Sequence, residues 1–148
     1  MTLDNEIKEL ILNITNPPQI VENWEDLADE LSDYFEWKGS KIDWSKTSKH
    51  ESEKLSGSYS EWLPLIRKFI GSKSILSEIN SSTNIFYIND SSLDFAVHLT
   101  PKQLEGFIVL AIENIPQHHY FFDEMKRWCL VISSEGYIDF GLSKKHST

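Results

Sequence analysis

The side chains best placed to do chemistry are the carboxylates of WEDLADELSDYFEW, residues 24–37, a segment with six acids and no basic residue. Four of the acids follow the helical spacing i, i+3, i+4 and i+7, so a helix would carry them on one face. Those four are Asp26, Asp29, Glu30 and Asp33. An apolar stripe falls on the opposite side, formed by Trp24, Leu27, Leu31, Tyr34 and Phe35. Such an acidic face is either simply solvated or suited to a positively charged partner.

The same segment accepts repulsion that a solvated helix face normally avoids by mixing both signs of charge. Like charges four residues apart destabilise a helix by about 0.2–0.5 kcal/mol per pair. The like pairs are Glu22–Asp26, Asp26–Glu30 and Asp29–Asp33. Trp37 follows the acids, and aromatic residues beside charge are frequent interface anchors. We therefore predict a partner-binding face formed by Glu22, Asp26, Asp29, Glu30, Asp33, Glu36 and Trp37.

The distribution of charge favours a basic partner and argues against direct binding of nucleic acid. The chain of 148 residues has a formal net charge of −9. Residues 1–37 contain ten acids and one base, so this segment alone carries a net charge of −9. Nucleic-acid-binding proteins instead carry basic stripes that displace phosphate counterions. A negative surface attracts basic proteins.

A second group of residues could support metal-dependent nuclease chemistry. Glu124 and Lys126 form a Glu-x-Lys triplet, and Asp94 lies upstream. In one class of nucleases two carboxylates and a lysine converge at a strand end, where they hold Mg²⁺ and position water. The triplet is expected in a turn between HHYFF and RWCLV, where charged residues are common. A small Mg²⁺-dependent nuclease using Glu124 and Lys126 is therefore the enzymatic alternative.

The remaining reactive residue types predict structural roles. His118 and His119 are adjacent, and neighbouring residues of a strand point to opposite faces, so they do not chelate one metal. Cys129 is the single cysteine, which excludes an intrachain disulfide, and its apolar neighbours predict a buried thiol. No phosphate-binding glycine loop or nucleophile elbow is present. We expect no metal, no cofactor and no enzymatic activity.

The pattern of elements predicts an α+β protein, a single domain over 1–148, in which N-terminal helices pack on an antiparallel sheet that ends in a C-terminal meander or hairpin. Helices are expected over 3–14, from Asn23, from Ser58 or Ser60 to Gly71, and over 101–114. SILSEI, NIFYIN, HHYFF, RWCLVISS and YIDFGLS indicate strands, the last two joined at Glu135-Gly136. Residues 38–58 are predicted to be a long loop. No secretory signal or long apolar run is present, which predicts a soluble cytoplasmic protein.

A short, acidic, cysteine-poor chain with a carboxylate-rich helix resembles the immunity proteins of bacterial toxin systems, including contact-dependent growth inhibition. The closing segment HHYFFDEMKRWCLVISSEGYIDFG is similar in texture to the terminal hairpins of such proteins. The resemblance implies a protein that binds a cognate toxin domain, a nuclease, and blocks its basic active site.

This interpretation predicts a monomer or weak homodimer that contacts neither nucleic acid nor membrane directly. An adaptor for another basic protein remains an alternative. The five lysines of residues 38–58 could form a second contact surface for an acidic patch.

Overall fold

The computed structural model describes residues 2–89 and 93–146. The helices are α1 (Leu3–Leu12), α2 (Trp24–Tyr34), α3 (Tyr59–Ile70), α4 (Lys73–Asn80) and α5 (Pro101–Asn114). The strands are β1 (Gln19–Val21), β2 (Trp37–Lys38), β3 (Lys41–Ile42), β4 (Thr47–Lys54), β5 (Ile85–Asn89), β6 (Ala96–Leu99), β7 (His119–Asp123), β8 (Trp128–Ser133) and β9 (Tyr137–Ser143). Short 3-10 turns cover Trp44–Lys46 and Lys144–His146.

A seven-stranded sheet organises the described residues, in the order β1-β6-β5-β7-β8-β9-β4. Every neighbouring pair in this sheet is antiparallel. β2 and β3 form a separate small hairpin. The predicted α+β class is confirmed, and β7, β8 and β9 form the predicted terminal meander.

The sheet is covered on both faces, and its helices divide unequally between them. Alternate residues of β8 point to opposite sides, so Trp128 and Leu130 join one hydrophobic cluster and Cys129 and Val131 join the other. The first cluster packs against α1, α3, α4 and α5. The second packs against α2 and the β2–β3 hairpin. The two N-terminal helices pack on the sheet as predicted, and they lie on opposite faces of it.

The prediction of a loop over 38–58 is wrong, because this segment contains β2, β3 and the eight-residue β4. β4 pairs with β9 along one side only and forms an edge of the sheet. Its sequence, TSKHESEK, is polar because an edge strand gains from charge that blocks further pairing. The register shifts between Ser48 and Glu51, and Lys49 adopts a positive φ of 53° within this irregularity.

The strand predicted at SILSEI is also wrong, since these residues lie in α4. Ile75 and Ile79 are four residues apart, and both are buried in the first hydrophobic cluster. Isoleucine favours strands in general, but here the i, i+4 spacing of two buried residues determines the structure. Local propensity therefore yields to tertiary packing.

Local capping signals place the other helices correctly. α5 begins with the predicted capping box, in which Gln103 Oε1 accepts from the Thr100 backbone N–H at 2.9 Å. α3 is capped by Ser58, whose backbone N–H donates to Glu61 at 3.0 Å. With Ser58 as the N-cap, Pro64 lies inside α3, beyond its first turn. With Ser60 as the N-cap, Pro64 would have been in the first turn.

Candidate partner-binding surface

α2 is fixed to the sheet by its apolar side and presents its acids outward. Leu27, Leu31 and Phe35 are buried against the second hydrophobic cluster. All the carboxylates of the helix are exposed, as the predicted face requires. Asn23 precedes the helix as predicted, but its side chain makes no capping hydrogen bond.

Three consecutive acids of α2 form its uncompensated part. Asp26 and Asp29 are exposed and form no ion pair with any residue in the described ranges. The same holds for Glu25, which is not among the residues predicted for the partner-binding face. The sequence contained a signal for including Glu25, since it lies four residues before Asp29 and therefore on the same helix face. We call Glu25, Asp26 and Asp29 the free acid row.

Two of the predicted acids already have partners within the chain. Glu30 accepts from Lys126 Nζ at 3.1 Å, and the Lys126 side chain is only 12% exposed. Glu22 accepts from Lys8 Nζ at 3.3 Å. The first contact connects α2 to the β7–β8 turn, and the second connects the segment before α2 to α1. Both reduce the charge that the acid offers to a partner.

The C-terminal end of α2 lies in a mixed electrostatic environment. Asp33 and Glu36 border a cleft that is also lined by Lys46, Lys144 and Lys145. The ammonium of Lys145 lies 5.4 Å from the centre of the Tyr34 ring. The most negative part of the helix is therefore its N-terminal half.

Trp37, predicted to pack beside the acids at an interface, contacts the sheet with part of its ring. It is partly buried, and its ring centre lies 5.5 Å from that of Tyr120 on β7. Its indole Nε1 is buried and has no hydrogen-bond partner among the described residues. The side chain holds the β2–β3 hairpin against the sheet.

The structure separates the residues of the nuclease alternative. Glu124 and Lys126 lie in the β7–β8 turn as predicted, whereas Asp94 precedes β6. Because β5 is antiparallel to both β6 and β7, the start of β6 and the end of β7 lie at opposite ends of β5. This separation is roughly 13 Å for four residues of strand. Glu124 accepts from the Asn84 amide, and Lys126 is bonded to Glu30.

The two adjacent histidines occupy different faces of the sheet, as the strand spacing predicts. His119 is buried, and its Nδ1 forms a hydrogen bond of 2.7 Å with the Tyr87 hydroxyl. The tautomer of the ring determines which of the two atoms donates. Burial lowers the pKa of His119 to about 4, with a smaller contribution from His118. No group of three or more metal-ligating His, Cys, Asp or Glu residues occurs within the described ranges. Cys129 is buried as predicted, and burial raises the pKa of its thiol.

Comparison with known proteins assigns no family. No protein-family model matches the chain, and no curated protein sequence matches it either. Across residues 2–89 and 93–146, none of the helices combines the length and apolar character that crossing a bilayer requires.

Proposed function

We propose that this chain is an inhibitor of the immunity class, which binds a basic toxin domain, a nuclease, through α2. The observation that carries the proposal is the free acid row. Glu25, Asp26 and Asp29 stand exposed on one rigid helix without a counter-ion among the described residues. Asp33 and Glu36 continue this surface toward the mixed cleft.

The free acid row suits a basic partner because its like charges lie close together on one helix. Acids one turn apart on a helix lie about 5–6 Å from each other between Cβ atoms. Repulsion within the row destabilises the free protein slightly, and a cationic surface would relieve it. Complementary charge also accelerates association and makes it sensitive to salt.

The attachment of α2 supports a preformed binding surface. Leu31 and Phe35 are almost completely buried, and Lys126 ties Glu30 to the sheet. A surface that is ordered in the free protein loses little conformational entropy on binding. The helix can therefore present its charge to a nucleic-acid-binding site without rearrangement.

Affinity capture with matched charge variants tests the proposal. One variant combines Glu25→Gln, Asp26→Asn and Asp29→Asn. Its control combines Glu6→Gln, Glu9→Gln and Glu113→Gln, three exposed acids of α1 and α5 on the opposite side of the sheet. Both variants change the net charge by the same amount. Wild type and both variants are used as bait in extracts of the cells that encode the chain, at low and high salt.

We expect wild type and the control to capture one basic domain at low salt and to lose it at high salt. The α2 variant should fail to capture it. The captured domain should cleave nucleic acid, and an equimolar amount of wild-type chain should stop the cleavage. Equal capture by the α2 variant, or a captured protein without a basic surface, would contradict the proposal.

A further inference from the structure

A cavity of about 150 Å³ lies on the same face of the sheet as α2. The β2–β3 hairpin and the following 3-10 turn form one side of it, through Ile42 and Trp44. The sheet forms the other side, and the lining includes Tyr120, Val131 and Asp139. Helices cover the corresponding region of the opposite face, so the cavity belongs to the thinly covered side of the sheet.

The cavity has room for one planar group. A cavity of about 150 Å³ in a protein core accepts a single benzene ring. The lining here combines aromatic and aliphatic walls with polar groups at the rim, among them Lys41, His118 and Ser133. Sites that recognise small groups commonly combine apolar walls with a few placed polar atoms.

Asp139, the carboxylate among the residues that line the cavity, has one oxygen available. Lys41 is ion-paired with Glu135, which lowers the pKa of Glu135 through a hydrogen bond and charge attraction. Asp139 accepts from His50 Nε2 through Oδ1 at 2.8 Å, and its side chain is only 15% exposed. Its Oδ2 has no hydrogen-bond partner among the described residues.

His118, at the rim, offers no free acceptor nitrogen that would favour a different ligand. His118 Nδ1 accepts from the Ser134 backbone N–H at 3.0 Å, so its Nε2 carries the proton in the neutral ring. That Nε2 lies 3.9 Å from Glu135. The negative groups at this rim are therefore Asp139 and Glu135, and the ammonium of Lys41 balances one of them.

The position of Trp44 is fixed from two sides. Its ring stacks on His50, with centres 4.9 Å apart and planes inclined by 5°. The ring also packs closely on β9, because a Cβ at Gly141 would come within 3.0 Å of Trp44 Cζ3. The indole held in this way lines the cavity beside Tyr120 and Tyr137, and guanidinium groups pack favourably against aromatic side chains while they bond to carboxylates.

We propose that this cavity receives the guanidinium of an arginine side chain from the partner, packed against the aromatic lining and bonded to Asp139. The proposal rests on the proposed function for the source of the arginine, since a basic partner presents such side chains. A single guanidinium matches the size of the cavity, the available Asp139 oxygen and the aromatic lining together. The cavity thus adds a specific contact to the less specific attraction of α2.

Short peptides test the site without the partner. The probes are acetyl-Gly-Arg-Gly-amide and the same peptide with citrulline, which keeps the shape of the arginine side chain but is neutral. Binding is measured from amide chemical shifts of the ¹⁵N-labelled full chain. We expect the arginine peptide to bind weakly and to shift resonances of Ile42, Val131 and Tyr137. The citrulline peptide should bind roughly tenfold more weakly, because it lacks the charge-assisted bond.

Three variants show whether the shifts come from this cavity. Asp139→Asn should weaken binding of the arginine peptide about tenfold, whereas Asp94→Asn, an exposed acid before β6, should not change it. Val131→Phe should fill the cavity and abolish the shifts, and the spectrum itself shows whether each variant is folded. Equal binding of both peptides, or binding unaffected by Asp139→Asn and Val131→Phe, would overturn the proposal. Loss of partner capture in the α2 variant is a separate result, so failure of the cavity and failure of the proposed function are distinguishable.

Discussion

Lys126, in the turn between β7 and β8, donates from Nζ to Glu30 of α2 at 3.1 Å, across 96 residues of sequence. From the sequence alone these two residues are predicted to serve rival functions, a nuclease site and a partner-binding face. The structure joins them in one ion pair. Lys126 also adopts a positive φ of 56° and donates to the backbone carbonyl of Glu124 at 3.0 Å. Its role in the described structure is to attach α2 to the sheet.

We predict a measurable but small coupling between Lys126 and Glu30. In a double-mutant cycle of Lys126→Met and Glu30→Gln, the coupling free energy should be about 0.5–1 kcal/mol, because Glu30 is half exposed to solvent. Urea unfolding of the four proteins measures it. The control cycle pairs Lys126→Met with Glu25→Gln, which should show no coupling. Equal coupling in both cycles would indicate a general charge effect instead of this contact.

The free energy of unfolding should decrease as the pH decreases, because of His119. Its folded pKa of about 4 lies below the ordinary value of 6.5, so the unfolded chain binds a proton that the folded chain does not. The contribution is fully present above pH 6.5 and is lost as the pH falls from 6.5 toward 4. Over this window His119 alone should lower the free energy of unfolding by roughly 3 kcal/mol.

Urea unfolding at several pH values tests this prediction. His119→Gln should remove most of the slope between pH 6.5 and 4. Phe121→Leu, on the same strand, should lower stability at every pH and leave the slope as it is in wild type. A slope that persists in His119→Gln would show that other groups cause it.

Two glycines should respond in opposite ways to alanine. At Gly141 a Cβ would lie 2.9 Å from Thr47 Oγ1 and 3.0 Å from Trp44 Cζ3, so Gly141→Ala should destabilise the protein by about 1–3 kcal/mol. At Gly106, inside α5, a Cβ meets nothing within 4 Å. Gly106→Ala should therefore stabilise by about 0.5–1 kcal/mol. Thermal or urea unfolding distinguishes the two, and a neutral Gly141→Ala would show that Trp44 is not confined there.

Two substitutions of Trp37 distinguish a packing role from the predicted interface role. Trp37→Phe keeps an aromatic ring against Tyr120 and removes an indole N–H that has no partner in the described structure. We expect stability within about 1 kcal/mol of wild type, since removing an unsatisfied donor offsets part of the lost packing. Trp37→Ala should be considerably less stable. Partner capture by Trp37→Phe should equal that of wild type; reduced capture at unchanged stability would restore the interface role.

The sequence predicts those features whose signals are local. The Thr100-Pro101-Lys102-Gln103 capping box places α5, and Glu135-Gly136 places the β8–β9 turn, because both depend on a few adjacent residues. β4 is missed because an edge strand has one exposed side and needs no apolar alternation. α4 is missed because its isoleucines favour strands unless the buried helix face is known.

The candidate site shows the same division. The helical period correctly places the acids of α2 on an exposed face. It does not reveal which acids are neutralised, since Lys8 and Lys126 approach Glu22 and Glu30 only through the fold. The cavity could not be predicted, because its lining comes from segments as distant as Trp44 and Asp139.

The pairing of β4 with β9 has a consequence for biosynthesis. Residues 47–54 leave the ribosome long before residues 137–143. Because Lys54 pairs with Tyr137, about eighty residues must be translated while β4 is still unpaired. An apolar strand exposed for that time would invite association between nascent chains. The hydrophilic TSKHESEK sequence lets β4 remain hydrated until the last strand of the meander arrives. The polar composition that makes β4 hard to predict from the sequence thus protects the unfinished protein during translation.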